Sequence, residues 1–560
     1  MTTPASTAVP FLSRPAVAGG WLAVLTLVFC WRCYRTFDIF SNTTDEPAHI
    51  ACGLEVWQSG RYTLEPQHPP LARVIVALPA YLAGLRQHDF RIWERDDLAF
   101  YWRTLGLARM GNLVFAPFLL VGVYWWARHL YDPAAGLAAA TLVSLCPHLL
   151  AHASLATLDF GSAVTTFLAA YGFWRWSLVR NLRSCLLAAA AFAAAVATKF
   201  SALFFLPPLA LVFFLISLRQ RPVTGSWSRL AIVRQSLAFL GTAALLIWGA
   251  YLFDFEPLPA ISIYAPPRTL GQYYASALEV FVALHRVPAP AFWRGLADVL
   301  GHNSRGHLAY LLGRTSQTGW WFYFPVALAV KTTLPLMLLF LTGLLVALFR
   351  RNGAGARGAI YPVAAAAVVL AVSMGSGINI GIRHILVIFP FLAVAGAVVF
   401  FRLPARGHLL GVLAPLLLLW QAAESIHAHP DYLAYFNQIA RGRELNFLAD
   451  SNLDWGQDLE RLRRDLLSRH VDTVYLAYSG APAEPPLRRG GVSFFAFDIQ
   501  PPPAGWVAVS VNRMVGLPDK YPLFWLRGQT PVARIGKSIL LYHLSEQQRQ
   551  EMLRRFAPKP

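Results

Sequence analysis

Long apolar runs separated by short, Arg-bearing connections fill the first three quarters of the chain, and shorter runs of alternating apolar and polar residues fill the rest. About eleven of the long runs approach the ~20 residues that a bilayer-crossing helix needs. They cover 17–37, 107–127, 134–151, 158–178, 184–198, 201–218, 231–253, 323–349, 359–376, 384–401 and 408–427. Runs 184–198 and 201–218 form one apolar stretch broken only at Thr198-Lys199-Phe200-Ser201. A single helix there would be too long for a bilayer, so a tight turn is expected at Lys199. The run 71–85 is cut by Pro79 and flanked by Arg73 and Arg86. It is too short to span and is expected to lie in the interface. Beyond residue 428 the alternation predicts strands at 471–476, 492–497, 506–511 and 538–543. Helices are expected there at 431–441, 453–469 and 545–556, the last opened by the capping box Ser545-Glu546-Gln547-Gln548. The fold class is therefore an α-helical polytopic membrane protein, residues 1–427, followed by a small α/β domain, residues 428–560.

Composition agrees with that class: 56% of the 560 residues are hydrophobic and 14% charged, against about 25% charged in soluble proteins. The formal net charge of +19 would suggest nucleic acid in a soluble chain. Here the arginines collect in alternate connections: Arg128; Arg175, Arg180 and Arg183; Arg219, Arg221, Arg229 and Arg234; Arg350, Arg351 and Arg357; Arg402 and Arg406. The other short connections carry only Lys199 and Arg383. By the positive-inside rule the first set is cytoplasmic. The N-terminus is then cytoplasmic, while the connections 38–106 and 254–322 and the tail 428–560 are extracytoplasmic. The first apolar run lacks a small-residue cleavage site after it and is taken as a retained span. The five cysteines form neither a disulfide framework nor a metal-spaced pair.

The chemistry-bearing residues fall on the expected outer side. Thr44-Asp45-Glu46-Pro47-Ala48-His49 follows the first span directly. Asp45 is a candidate general base, or a helix cap. Glu46 either orients Asp45 or caps the helix, and His49 shares a face with Asp45 one turn on. Asp159, at the mouth of the fourth span, is either functional by its cost at membrane depth or an N-cap. Arg383-His384, after the turn Gly375-Ser376-Gly377-Ile378-Asn379, suits bidentate binding of a phosphate. Lys331 and Lys199 lie on the same side, as phosphate partners or as snorkelling cations. The connection 254–322 is too long for a plain linker. Its Tyr264, Tyr273, Tyr274, His285, His302, Asn303, Trp320, Trp321 and Tyr323 suit sugar stacking or a lid, or equally a structural cap. His49, His68, His302 and Tyr323 are the substrate-binding candidates. In the tail, Asp450-Ser451-Asn452-Leu453-Asp454-Trp455-Gly456-Gln457-Asp458 imitates the start of a calcium loop, but its glycine comes one place late and Arg461 stands where a glutamate is needed. A helix start boxed by Ser451 and Asp454 is the plainer account.

Asp45-Glu46 after the first span, the helix around Cys52-Gly53-Leu54-Glu55 and then His68-Pro69-Pro70-Leu71 together resemble the first outer loop of GT-C glycosyltransferases. The similar branch is the protein O-mannosyltransferase and aminoarabinose transferase group, which takes sugars from polyprenyl-phosphate carriers. The resemblance implies that Asp45 is the catalytic acidic residue and Asp159 a second one. Arg383 would be the cation of an Arg-(His/Tyr)-x-x-x-x-x-Pro motif, and the 254–322 connection would help to cover the donor pocket. The tail departs from well-studied members; its Asp-Ser-Asn-x-Asp-Trp-Gly-Gln stretch resembles uncharacterised bacterial relatives of the group, which supports relatedness over the tail and assigns no role.

The expected activity is an inverting glycosyltransferase. It would move a monosaccharide from a polyprenyl-phosphate carrier to a hydroxyl acceptor (protein, lipid or glycan) on the outer face of a bacterial inner membrane. The expected partners are that donor, that acceptor and membrane lipids, with no nucleic acid. No motif demands a cofactor, and a divalent metal stays open. The alternative is a transporter or flippase of lipid-linked sugars, for which internal repeats and charges within several spans are expected. The chain shows neither.

Overall fold

A computed structural model describes residues 14–86, 97–219, 228–257, 286–349, 354–401, 408–480, 490–518, 523–526 and 528–556. Tyr264, Tyr273, Tyr274 and His285 lie outside these residues. Eleven helices open the chain: α1 Pro15–Tyr34, α2 Glu46–Ser59, α3 Leu71–Leu82, α4 Leu98–Asn112, α5 Phe115–Leu130, α6 Pro133–Ser144, α7 Pro147–Ala153, α8 Asp159–Val179, α9 Leu182–Thr198, α10 Ser201–Arg219 and α11 Arg229–Ala250. Helices Pro290–Arg305, Tyr323–Lys331, Leu334–Phe349, Ala354–Met374, Ile388–Gly396 and His408–His427 complete the described helical part before the tail. A helix or helix pair thus occupies each expected span. Among the described residues, five helices are long and apolar enough to cross a membrane, or seven when each of two bent pairs counts as one span, fewer than the eleven expected. The expected turn at Lys199 is present, with Lys199 extended between α9 and α10.

Prolines explain the bent pairs. The first apolar pair turns by 60° between Ser144 and Pro147, and the pair Tyr323–Lys331 and Leu334–Phe349 turns by 118°. Pro335 has no N–H to offer the carbonyl of Lys331. That carbonyl accepts from His148 Nε2 instead, at 2.7 Å. Asn437 closes the same break, its Nδ2 donating to the carbonyls of Ala329 at 2.7 Å and Thr332 at 2.8 Å. Residues 431–441 therefore form turns against the bend, where the sequence pattern predicted a helix.

The first connection is a packed structure. α2 lies on α3 and α3 on α4. A Cβ at Gly53 would stand 2.1 Å from the carbonyl oxygen of Arg73, so only glycine admits this approach. Arg73 is fully buried, where the pattern predicted a flanking residue at an interface. Its guanidinium donates to His49 Nδ1 at 3.1 Å and pairs with Glu65.

Large apolar side chains point outward along α1, α10 and α11, among them Trp21, Leu27, Trp31, Leu211, Leu218, Leu230 and Leu237. The apolar window of α11 is only 11% buried, as suits a helix facing lipid. The interior is closed around Trp126, whose ring meets Phe167, Trp174, Phe213 and Phe391.

In the tail, β5 Thr473–Ala477, β6 Ser493–Ala496, β7 Gly505–Ser510, β8 Ala533–Ile535 and β9 Ile539–Leu544 form one mixed sheet in the order β6-β5-β7-β9-β8. Two short antiparallel strand pairs, β1 Phe255–Pro257 with β2 Arg286–Pro288 and β3 Ala309–Leu311 with β4 Arg314–Ser316, precede it in the chain. Four of the sheet strands fall on the predicted alternations, and β8 has too few residues to show one. Helix Leu459–Ser468 begins later than predicted, because residues 450–457 are spent on another structure.

Candidate active site

A cavity of about 850 Å³ lies where the connection 38–106, the helix ends and the tail converge, within the range of small-ligand sites. Asp45, His49, His68, Asp159, Lys199, His302, Arg383 and His384 all line it. Phe204, Phe205, Leu300, Leu308, Phe324 and Val372 add an apolar side.

Asp45 precedes α2 but makes no capping bond. Its Oδ2 accepts instead from Arg383 Nη1 at 2.8 Å, and its side chain is 35% exposed. Asp159 opens α8, again without a capping bond from the preceding residue's side chain. Its Oδ1 accepts from Lys199 Nζ at 2.6 Å, its Oδ2 stands 3.8 Å from Arg383 Nη1, and His152 Nδ1 is 3.9 Å away. Two carboxylates and two cations therefore interleave. Arg383 Nε and His384 Nε2 are buried with no hydrogen-bond partner among the described residues. Buried polar atoms are almost always satisfied, so these two atoms on the cavity wall are free to meet a ligand.

The histidines are neutral donors and acceptors. Burial, reinforced by Arg73, holds His49 and His68 well below the ordinary imidazole range. Because His49 Nδ1 accepts from Arg73, its Nε2 carries the proton. His302 Nε2 lies 3.1 Å from His307 Nδ1, and its Nδ1 lies 3.3 Å from Gln67 Nε2.

Three expected site residues are placed elsewhere. Glu46 is fully buried away from the cavity. Arg109 takes both of its oxygens at 2.9 Å, and the amides of Thr43 and Ala156 complete them at 2.7 Å. With its lone pairs committed, Glu46 ties the start of α2 to α4 and to the backbone at Thr43 and Ala156, and caps no amide of α2. Lys331 is also fully buried. Its ammonium donates to the carbonyls of Leu433 and Asn452 and sits 4.3 Å from the centre of the Phe436 ring, so the bend that carries it turns it away from any donor. Tyr323 is a core residue that accepts from Asn452 Nδ2 at 2.9 Å.

The tail supplies what the sequence pattern did not show. Asp450, Asp454, Trp455 and Asn512 line the cavity. Trp455 stacks on Arg383, with the guanidinium carbon 4.0 Å from the ring centre. Ser451 and Asn452 spend their side chains on residues 380 and 382, so neither a helix cap nor a calcium loop forms. Among the described residues, no cluster of three or more His, Cys, Asp or Glu side chains has metal-binding geometry. Burial pushes the carboxyl of Asp450 up to about 7 and that of Asp454 to about 6.

Residues 106–248 match the family model described as dolichyl-phosphate-mannose-protein mannosyltransferase. That segment holds Asp159 and Lys199 but neither Asp45 nor Arg383. No curated protein sequence matches the chain. Among solved structures, the chain is similar to the oligosaccharyltransferase of Archaeoglobus fulgidus tethered with an acceptor peptide. That match has 10% identity, covers 91% of this chain and 72% of that one, and has a TM-score of 0.50. ArnT from Cupriavidus metallidurans bound to undecaprenyl phosphate matches at 13% identity over 94% and 98% of the two chains, with a TM-score of 0.48. The Pmt1-Pmt2 protein O-mannosyltransferase complex of S. cerevisiae bound to the sugar donor matches at 19% identity over 42% and 33%, with a TM-score of 0.33. At these identities a structural likeness speaks for the fold. The chain is thus a multi-pass membrane protein similar in fold to that oligosaccharyltransferase and, over residues 106–248, similar to the dolichyl-phosphate-mannose-protein mannosyltransferase family.

Proposed function

We propose that this protein transfers a monosaccharide from a polyprenyl-phosphate carrier to a hydroxyl acceptor, with inversion, at the outer face of the membrane. The observation that carries the proposal is the meeting of Asp45, Arg383, Asp159 and Lys199 in one cavity that also has an apolar side. A prenyl chain suits the apolar side and a phosphodiester the cations. The family description attached to residues 106–248 names a lipid-phosphate-linked sugar. The outer placement is supported by the basic residues of the opposite connections.

In this mechanism Asp45 takes the proton of the acceptor hydroxyl. The hydroxyl oxygen attacks the anomeric carbon, and the bond from that carbon to the phosphate oxygen breaks with its electron pair on the phosphate. Arg383 Nε, His384 Nε2 and Lys199 receive the charge that develops there. Asp45 and the phosphate compete for Arg383, so the arriving donor releases the carboxylate to act as base. Asp159 keeps Lys199 and Arg383 beside each other.

The test is turnover of radiolabelled polyprenyl-phosphate hexose by the protein reconstituted in vesicles. A positioned base contributes about 10²–10⁴-fold, so Asp45→Asn is expected to lower turnover by at least a hundredfold while the protein inserts and folds normally. Wild-type turnover by purified Asp45→Asn would remove Asp45 from the chemistry. A wild-type protein that transports such lipids without cleaving them would instead be the flippase.

A further inference from the structure

The tail stretch 450–457 makes an unusual number of connections to the two residues at the centre of the site. Ser451 Oγ donates to the carbonyl of Ile380 at 2.5 Å, and Ile382 N–H donates to Asn452 Oδ1 at 3.0 Å. These bonds hold the backbone on both sides of Gly381, immediately before Arg383. A Cβ at Gly381 would stand 2.3 Å from Ser451 Oγ, so the glycine is what lets the stretch dock. The same stretch also holds the approach to Asp45. Thr44 N–H donates to the carbonyl of Trp455 at 3.1 Å, and Ser41 N–H donates to that of Gln457 at 3.0 Å. Trp455 N–H is itself tied to Gln457 Oε1 at 2.7 Å. The arm therefore grips the chain on each side of the Asp45–Arg383 pair, and the Arg383 guanidinium carbon lies over the ring of Trp455, which is only 5% exposed, 4.0 Å from the ring centre.

We propose that residues 450–457 are an arm of the active site, and that Trp455 is a positioning residue that aims Arg383 at the donor phosphate. The proposal rests on the reading of Arg383 given above. Arg383 has one bond to Asp45, and its Nε has no partner among the described residues. When the phosphate displaces Asp45, the guanidinium keeps its 3.8 Å pairing with Asp159 through Nη1, and the indole face is what restrains the guanidinium from the tail side. A planar fork binds phosphate bidentately only when its plane is fixed. An aromatic face fixes that plane and, in a desolvated site, adds cation–π attraction. The leg to Asp45 runs through the backbone of Trp455, so a side-chain substitution isolates the leg to Arg383.

The measurement is binding of a short-chain polyprenyl phosphate to the full-length protein in detergent, which needs neither sugar nor acceptor. Trp455→Leu fills most of the space without a π face and is expected to weaken binding about 3- to 30-fold. Trp455→Phe restores a flat face and is expected to recover most of it. In an Arg383→Ala background the same Trp455→Leu exchange is expected to cost less than about twofold, because residues that act through one another are not additive. Equal losses in both backgrounds, or equal losses for Leu and Phe, would make Trp455 packing alone and overturn the proposal. If the Leu variant fails to fold, Trp455→Phe against Trp455→Tyr and Ser451→Ala, each taken with and without Arg383, reads the same coupling. Unchanged binding in Arg383→Ala alone would instead refute the reading of Arg383, a separate outcome.

Discussion

The two walls of the cavity contribute different things. The helix-end wall brings the charge: Asp45, Asp159 and Lys199 come from the start of α2, the start of α8 and the turn between α9 and α10. The tail wall brings the geometry: its backbone and its small polar side chains hold the segments that carry Asp45 and Arg383. Charge alone would leave four ionised groups free to collapse on one another. Each cation here already has a carboxylate, so on the proposed reading a donor phosphate competes with Asp45 for Arg383.

The sharpest break of this comparison is between adjacent residues. Asp45 faces the cavity, and Glu46 faces α4. Asp45→Asn is expected to cost at least a hundredfold in turnover and little in stability. It should also leave polyprenyl phosphate bound as tightly as in wild type or more tightly, since it frees Arg383 of a competitor. Glu46→Gln is expected to do the reverse. Removing one partner of a buried ion pair costs about 3–5 kcal/mol, so the variant should lose folded yield and thermal midpoint, with turnover per folded molecule near normal. Thermal melts in detergent beside turnover assays separate the two. A Glu46→Gln protein that melts normally but does not turn over would put the base on the pair.

Much of the helix-end wall was legible in the sequence and little of the tail wall was. Ionisable residues stand out in apolar runs because burial makes them costly, and this brings Asp45, Asp159, Lys199 and Arg383 into view. The same cue misleads at Lys331 and Glu46, because an expensive charge can be satisfied privately. Lys331 has the carbonyls of Leu433 and Asn452, and Glu46 has Arg109 and two amides. Nothing in the periodicity tells these cases from a ligand site. Trp455, Ser451 and Asn452 could be seen as a motif but not as parts of the site, since their partners lie about seventy residues or more earlier in the chain. The one local signal was negative: Asp-Ser-Asn-x-Asp-Trp-Gly-Gln is too polar for a core helix and lacks the residues of a calcium loop.

A smaller effect separates the cations. A charge-assisted bond to phosphate is worth about 1.5–3 kcal/mol, so Arg383→Ala is expected to weaken polyprenyl phosphate binding roughly ten- to a hundredfold. Arg383→Lys should recover only part of this, because it lacks the fork. Lys331→Met keeps the length of the side chain and its contact with Phe436. It is expected to lower the thermal midpoint while leaving binding within about twofold, since bonds to two backbone carbonyls are lost but nothing on the cavity changes. Binding that falls as far in Lys331→Met as in Arg383→Ala would return Lys331 to the donor site.

The smallest effect tests the tail wall by pH. Asp450 sits in the left-handed backbone region, at φ 58°, a conformation that aspartate tolerates better than most side chains. Its amide donates to Asn512 Oδ1 at 2.8 Å, and its Oδ1 accepts from Ser451 N–H at 2.6 Å. Burial pushes this carboxyl from the ordinary 3.8 up to about 7, so in the folded protein it keeps its proton over that interval while the unfolded chain gives it up. Its contribution to stability is therefore fully present below about pH 4 and is lost as pH rises to about 7 and beyond. Asp454, pushed up to about 6, adds a loss of the same sign. Asp450→Asn removes the ionisation and leaves the amide bond from Ser451 an oxygen to meet. The expected result is a thermal midpoint raised by a few degrees at pH 8 and nearly unchanged at pH 4, so that the wild-type decline between these values is partly flattened. An equal shift at both pH values would mean that the exchange altered packing and that Asp450 carries no charge cost. A fall at pH 8 would mean that its ionised form is the one the fold holds, with Arg383 as its counter-ion across the cavity.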